Sequence, residues 1–149
     1  MFEVIVVGAG PAGVGISIIL KKVGINFTVL ERYDVGSSFL RWPEQMKLLT
    51  PSFFSNAFRM IDLNAISYDT SPALSLQTEH PSGKEYADYL KKLAEYFKLP
   101  ILKGINVDSV STTSNGFTIN TNKGKMQTRL LIWSGGGISV SKSKSLSGS

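Results

Sequence analysis

The sequence predicts an α/β fold built on a parallel sheet, and three observations predict it. A β-branched run, Phe2 to Val7, stops at a glycine; a helical repeat follows at once; a second apolar run ends in an acid at Glu31. Together they make a β-α-β unit within about thirty residues, and a crossover of that kind joins parallel strands. The chain has 149 residues, of which 42% are apolar and 18% charged, a balance that suits a globular domain and not a disordered one. That length supports one sizeable core, and two full domains do not fit.

The first run, Phe2 to Val7, suits a central strand buried on both faces. Pro11 sits where a helix can begin, and Ala12, Ile16, Ile19, Leu20 and Val23 recur at helical spacing. Lys21 and Lys22 complement the dipole before Gly24 supplies a left-handed stop. The expected helix has about twelve residues. Ile25 to Glu31 is the second strand. From Asp34 to about Thr78 the pattern dissolves into aromatic and turn-rich pieces, including Trp42-Pro43, Leu49-Thr50-Pro51-Ser52-Phe53-Phe54 and Ser71-Pro72. A stretch this long without regular structure is usually functional or in need of a partner.

Ser82-x-x-Glu85 is a capping box that opens a second helix, with Tyr86, Leu90, Leu93 and Phe97 at its inner spacing and Leu99-Pro100 closing it. Strand-like runs then follow at Ile101 to Lys103, Asn106 to Ser111, Gly116 to Thr121 and Met126 to Trp133. The Asn-Gly and Lys-Gly turn signals between them predict a parallel strand, a small antiparallel meander and a return strand. Residues 138–149 hold six serines and two lysines without a core pattern, and read as a frayed Ser/Lys-rich tail.

Composition removes several chemistries. With no cysteine and the single histidine His80, disulfides, zinc-thiolate clusters and multi-histidine metal sites are excluded. His80 precedes Pro81 in a polar turn and reads as a solvated loop residue. The net charge of +5 is concentrated late: residues 1–108 carry 11 basic and 11 acidic side chains, whereas 109–149 carry five basic ones and no acid. Five scattered cations make no basic stripe, so nucleic acid is not expected as a partner. Glu3 and the lack of a basic start argue against a signal peptide, and no run of about 20 apolar residues supports a membrane span. A cytoplasmic location is the default.

Gly8-Ala9-Gly10-Pro11-Ala12-Gly13 is a G-x-G-x-x-G run between a strand and a helix. Gly8 permits the tight turn, Gly10 lets a pyrophosphate approach the backbone, and Gly13 lets helix and sheet pack closely. The unpaired amides and positive dipole of the helix start attract phosphate. The bland alternative is a glycine-rich turn with no ligand. Glu31 lies eighteen residues after Gly13, near the spacing at which an acid accepts the adenosine ribose hydroxyls. A carboxylate there repels a 2′-phosphate, so FAD or NAD is expected in preference to NADP. Its alternative is an acid that merely faces water. A P-loop is excluded, because no Lys-Ser/Thr pair follows the glycines.

Further along, Val35-Gly36-Ser37-Ser38-Phe39-Leu40-Arg41-Trp42-Pro43 and Leu131-Ile132-Trp133-Ser134-Gly135-Gly136 stand beside Glu31-Arg32 and the glycine run. In these segments the chain resembles the flavin-containing monooxygenase-like and related FAD-dependent pyridine-nucleotide oxidoreductases, over roughly residues 1–136. The Val35 to Pro43 segment is similar to that family's Gly-Gly-x-Trp region beside the flavin, with Ser37 in place of its second glycine. The resemblance implies a Rossmann-like FAD/NAD(P)-binding fold, with an incomplete domain over residues 1–137. It implies FAD with its pyrophosphate at Gly10, Pro11, Ala12 and Gly13 behind Gly8, and its ribose at Glu31, flanked by Arg32.

By the same analogy Val107 meets the adenine through its backbone, Ser38, Trp42 and Thr50-Pro51-Ser52 lie near the isoalloxazine, and Ser134 and Gly135 contact the cofactor. Trp42 reads equally well as a core aromatic, and Trp133 to Gly136 as a strand-ending turn. NAD(P)H is implied only as co-substrate of a complete enzyme, on a second glycine-rich unit. Gly135-Gly136-Gly137-Ile138-Ser139-Val140 lacks the helix pattern and acid of such a unit.

The implied activity is that of a flavin-dependent oxidoreductase, monooxygenase-like, in which nicotinamide passes hydride to flavin; the catalytic residues stay unassigned. Two alternatives remain: a nucleotide-binding module that senses NAD or ADP ligands without turnover, and a truncated product whose exposed aromatic 39–74 region drives association into a homo-oligomer.

Overall fold

The computed structural model describes residues 1–52 and 62–135. The expectations for Phe53-Phe54, for Gly136 onward and for the tail 138–149 lie outside these residues.

Strand β1 (Phe2–Val7) leads into helix α1 (Pro11–Lys22), and β2 (Phe27–Glu31) completes the unit. β1 and β2 are parallel, with Val4 opposite Phe27 and Val7 opposite Leu30. Gly24 turns the chain between them at φ 75°, the left-handed conformation that glycine adopts without strain. Two short helices, α2 (Ser37–Leu40) and α3 (Pro72–Leu76), lie in the region that reads as irregular from sequence. Elements of four or five residues are too short to show a periodicity.

Helix α4 (Gly83–Tyr96) opens on the expected capping box: Ser82 Oγ accepts the Glu85 amide, and the Glu85 carboxylate accepts the Ser82 amide. These bonds hold the Glu85 carboxyl below its ordinary range. The helix ends one residue short of Phe97, which caps it half-buried.

β3 (Ile101–Lys103) adds in parallel to β2. β4 (Val107–Thr113), β5 (Gly116–Thr121) and β6 (Gly124–Trp133) form the antiparallel meander. The meander's third strand and the return strand are one element. β6 pairs through its first half with β5 and through its second half, in parallel, with β1. The sheet order is β3-β2-β1-β6-β5-β4.

The core lies on the two faces of β1 and β2. On one face Val4, Val6, Phe27 and Val29 pack with Val14 and Ile18 of α1 and with Tyr86, Tyr89, Leu90 and Leu93 of α4. On the other, Ile5, Val7 and Leu30 meet Ile119 of β5, with Val107 and Met126 beside it. Both long helices therefore cover one face, and the meander curls over the second. Leu90 and Ile119 are fully buried, and truncating either to alanine costs about 2–5 kcal/mol. The four parallel strands, β3, β2, β1 and the second half of β6, run their carboxyl ends to one edge, where the β1–α1 loop and residues 31–36 meet.

Candidate functional site

The loop between β1 and α1 is held open from below by backbone contacts that only glycine allows. Gly8 has φ 99°, and a side chain there would also come within 2.9 Å of the Ser134 and Gly135 backbone. A Cβ at Gly13 would stand 1.9 Å from the Gly8 carbonyl oxygen. Gly10 is different: it has an ordinary φ of −81°, and nothing lies within 4 Å of where its Cβ would be. The first and third glycines are demanded by the protein's own packing, and the second is demanded by nothing among the described residues.

Gly10 is the N-cap of α1, no side chain caps the helix, and its first turn carries no acid. Pro11 at the first position has no amide to satisfy. The amides of the first turn are thus turned outward without a side-chain acceptor, beside the positive end of the dipole. Among the described residues, the donors and the open space at Gly10 match a diphosphate in charge and in room.

Ser134 closes the loop from β6. Its amide donates to Val7 O at 2.8 Å, and its hydroxyl reaches Val7 O at 2.8 Å and Gly8 O at 3.0 Å. Gly135 follows directly against the Gly8 position. Two segments separated by more than 120 residues are thereby joined.

Glu31 does not face water. It is 7% exposed, and its two oxygens accept the amide of Ala9 at 2.7 Å and that of Tyr33 at 2.8 Å. The acid therefore fixes the glycine loop relative to the end of β2. Each carboxylate oxygen has a second lone pair, so two acceptor directions stay open.

Of the other residues named from sequence, Ala12 is exposed on the first turn of α1 and Ser38 is exposed on α2. Arg32 is exposed, with its guanidinium 5.0 Å from the centre of the Tyr33 ring. Trp42 is half-buried, 4.9 Å from Phe39 in an aromatic cluster that continues to Tyr86. A Cβ on Gly83 would come within 2.9 Å of the Trp42 Cβ, so the start of α4 packs closely against it. Val107 opens β4, pairs with Thr121 and packs in the second core cluster with Val7, two residues after Ile105, whose amide donates to Glu31 O at 3.0 Å. Ser52 is buried, its amide on Glu79 O and its hydroxyl accepting the Asn64 amide group. The His80 Nδ1 lies 2.9 Å from the Leu48 carbonyl in an exposed turn.

The sequence family described as pyridine nucleotide-disulphide oxidoreductase matches residues 5–149. The chain belongs to that family. An uncharacterized oxidoreductase CzcO of Bacillus velezensis is 32% identical over 140 residues, which is 91% of this chain and 36% of that protein. The chain thus spans about a third of the length of the curated relatives it matches. Among solved structures, the bacillithiol disulfide reductase Bdr (YpdA) of Staphylococcus aureus superposes with a TM-score of 0.75 at 23% identity, over 89% of this chain and 37% of that one. A flavin-containing monooxygenase of Stenotrophomonas maltophilia gives 0.72 at 19% identity, over the same shares. These likenesses show the Rossmann-like fold. The resemblance read from the glycine run and Glu31 holds for this oxidoreductase family.

Several contributors to the site are not among the residues singled out from sequence. Ala9 supplies both the amide on Glu31 and the carbonyl that accepts the Gly36 amide at 3.0 Å. Gly36, at φ 70°, lies so close to α4 that a Cβ would meet the Ala87 Cα at 3.0 Å. Asp34 joins Lys103 of β3 at 2.6 Å to Lys91 of α4 at 2.8 Å. Those two lysines, Lys103 first, hold its carboxyl down at about 2. From the sequence Gly36 is read only inside the Val35 to Pro43 segment, without a role of its own. Among the described residues no helix is long and apolar enough to cross a membrane, and no group of three or more His, Cys, Asp or Glu could hold a metal ion.

Proposed function

We propose that this chain is the FAD-binding portion of a flavin-dependent NAD(P)H oxidoreductase, monooxygenase-like, with the cofactor's diphosphate at Gly10 to Gly13 and its adenosine ribose at Glu31. The observation that carries this reading is the contrast within the glycine run. Gly8 and Gly13 are fixed by contacts under 3 Å, whereas the space above Gly10 is free of the described residues and faced by uncapped amides. A turn with no ligand has no use for the second glycine. FAD supplies the redox chemistry when bound; the chain's part is to bind and orient it.

In this reading Ala12 and Gly13 donate to phosphate through their amides, and Glu31 accepts from the ribose while holding Ala9. Ser134 and Gly135 keep the loop in register. Arg32 flanks the adenosine end, Val107 on β4 meets the adenine through its backbone, and Ser38 on α2 lies on the isoalloxazine side. Trp42 takes a supporting role under the ring side of the site through Phe39. NAD(P)H is the co-substrate of the complete enzyme, whose substrate and acceptor belong to the rest of its length.

The experiment is direct. Purified protein that is yellow, with a flavin spectrum surviving desalting, supports the reading. Colourless protein that binds NAD but not FAD by calorimetry replaces it with a nucleotide-sensing module.

A further inference from the structure

The adenosine end of the cleft carries an arrangement that the dinucleotide reading uses only in part, since it gives Arg32 a place beside the adenosine and leaves Tyr33 and Arg41 without one. Glu31 is buried with both oxygens engaged by amides, so its charge is already matched by two donors. Beyond it, Tyr33 is 51% exposed, and two guanidiniums stand over its ring, Arg32 from the end of β2 and Arg41 from the end of α2, each 5.0 Å from the ring centre. Neither arginine pairs with a carboxylate of the described residues. The ion pairs at this corner are Lys91 and Lys103 on Asp34, which already hold that acid twice over. Arg41 is steadied further by its Nε contact to Ser37 O at 3.4 Å.

An aromatic ring between two guanidiniums removes part of the rotamer freedom that each would lose on gripping a ligand. Two planar, permanently charged forks without acid partners are suited to a phosphate. Their position is specific: an arginine just past the acid at the end of the second strand is where a phosphate on the ribose 2′ oxygen falls in this type of fold. Taken alone, Glu31 argues for an unphosphorylated ribose. Its carboxylate is held by the Ala9 and Tyr33 amides, and the positive charge of Arg32 and Arg41 on the neighbouring Tyr33 opposes the repulsion it exerts on a 2′-phosphate.

We propose that Arg32 and Arg41, held on Tyr33, form a site for a 2′-phosphate, so that the cleft also takes adenine nucleotides phosphorylated at the ribose 2′ position, in competition with FAD. This rests on the placement of the diphosphate at Gly10 and the ribose at Glu31.

The test titrates the chain calorimetrically with adenosine 5′-diphosphate and with adenosine 2′,5′-bisphosphate, and repeats both with R41A and with R32A/R41A. The bisphosphate is expected to bind about tenfold tighter, through two charge-assisted contacts. That preference should fall toward unity in the double variant and weaken with added salt. Circular dichroism confirms that these surface variants are folded. Equal affinity for the two nucleotides, or a preference that survives in R32A/R41A, overturns the proposal while leaving the cleft assignment intact. Failure of both nucleotides to bind the parent chain overturns the cleft assignment, and the 2′-phosphate site with it.

Discussion

The Ala9 amide donates to the Glu31 carboxylate at 2.7 Å, across 22 residues of sequence. One bond ties the glycine loop to the end of the second strand, so the residue proposed to hold the ribose also sets where the phosphate amides stand. Replacing it therefore has two effects. Glu31→Gln keeps one acceptor but sets an amide group against an amide, and loses a charge-assisted bond in a buried place. The variant should unfold about 1–3 kcal/mol more easily without any ligand. Denaturant melts of the two proteins check this; equal midpoints would mean that the acid has no structural part.

The glycines should separate cleanly. Gly13→Ala places a methyl 1.9 Å from a carbonyl oxygen of the loop, which neither backbone can accommodate without moving. It should cost about 2–4 kcal/mol of stability. Gly10→Ala meets nothing and has a permitted φ, so its stability should stay within about 0.5 kcal/mol of the parent. Thermal unfolding of the pair gives the answer. Similar losses in both would contradict the distinction drawn between them.

Ser134→Ala removes the hydroxyl that reaches the Val7 and Gly8 carbonyls. The backbone bond from the Ser134 amide persists, so the loss should be about 1 kcal/mol. Faster hydrogen exchange should be confined to residues 8–13, read by mass spectrometry. Exchange that quickens throughout the sheet would show Ser134 to be a global element and not a clasp on the loop.

Acid should loosen the corner around Asp34. Its carboxyl is depressed in the folded chain from 3.8 to about 2, first by Lys103 and then by Lys91. A depressed acid contributes stability above its unfolded value and loses it as the pH falls through the folded one, so the window is between about pH 4 and pH 2. Lys103→Met should raise the Asp34 titration toward the ordinary carboxyl range and move acid unfolding to higher pH. Carbon-13 NMR of the aspartate carboxyls follows the titration directly. An unchanged Asp34 midpoint would show that Lys103 does not hold it.

Much of the fold is legible in the sequence because its signals are local. Phe2–Val7, Pro11–Lys22, Ile101–Lys103 and Gly116–Thr121 have the expected bounds, each marked by a glycine, proline or charged stop within a residue or two. The capping box places the start of α4 correctly. What is not legible depends on contacts between distant residues. The curl of the meander over Ile5 and Val7 comes from the burial of Ile119, and nothing in residues 116–121 states which face they will cover. Trp42 could read as a cofactor neighbour or as packing, and its contact with Gly83, beyond that with nearby Phe39, comes from a segment far off in the sequence.

The buried Asp62 is invisible for the same reason. It serves the Asn64 amide, the Ser71 hydroxyl and the Ala73 amide, and so organises the entry to α3 in a stretch without periodicity. At the site itself, the glycine spacing and the acid were readable, but the inward commitment of Glu31 and the Arg32–Tyr33–Arg41 stack were not. Each follows from the 31–41 segment folding back on itself, through Asp34, Gly36 and the short α2.

The account stands on the open space at Gly10. Its most direct test is fluorescence titration of FAD into the parent chain and into Gly10→Ala, two proteins expected to be equally stable. Saturable, one-to-one binding to the parent that is lost in the alanine variant is the predicted result. Binding of equal strength to both, or no saturable binding to the parent, would contradict the placement of the diphosphate.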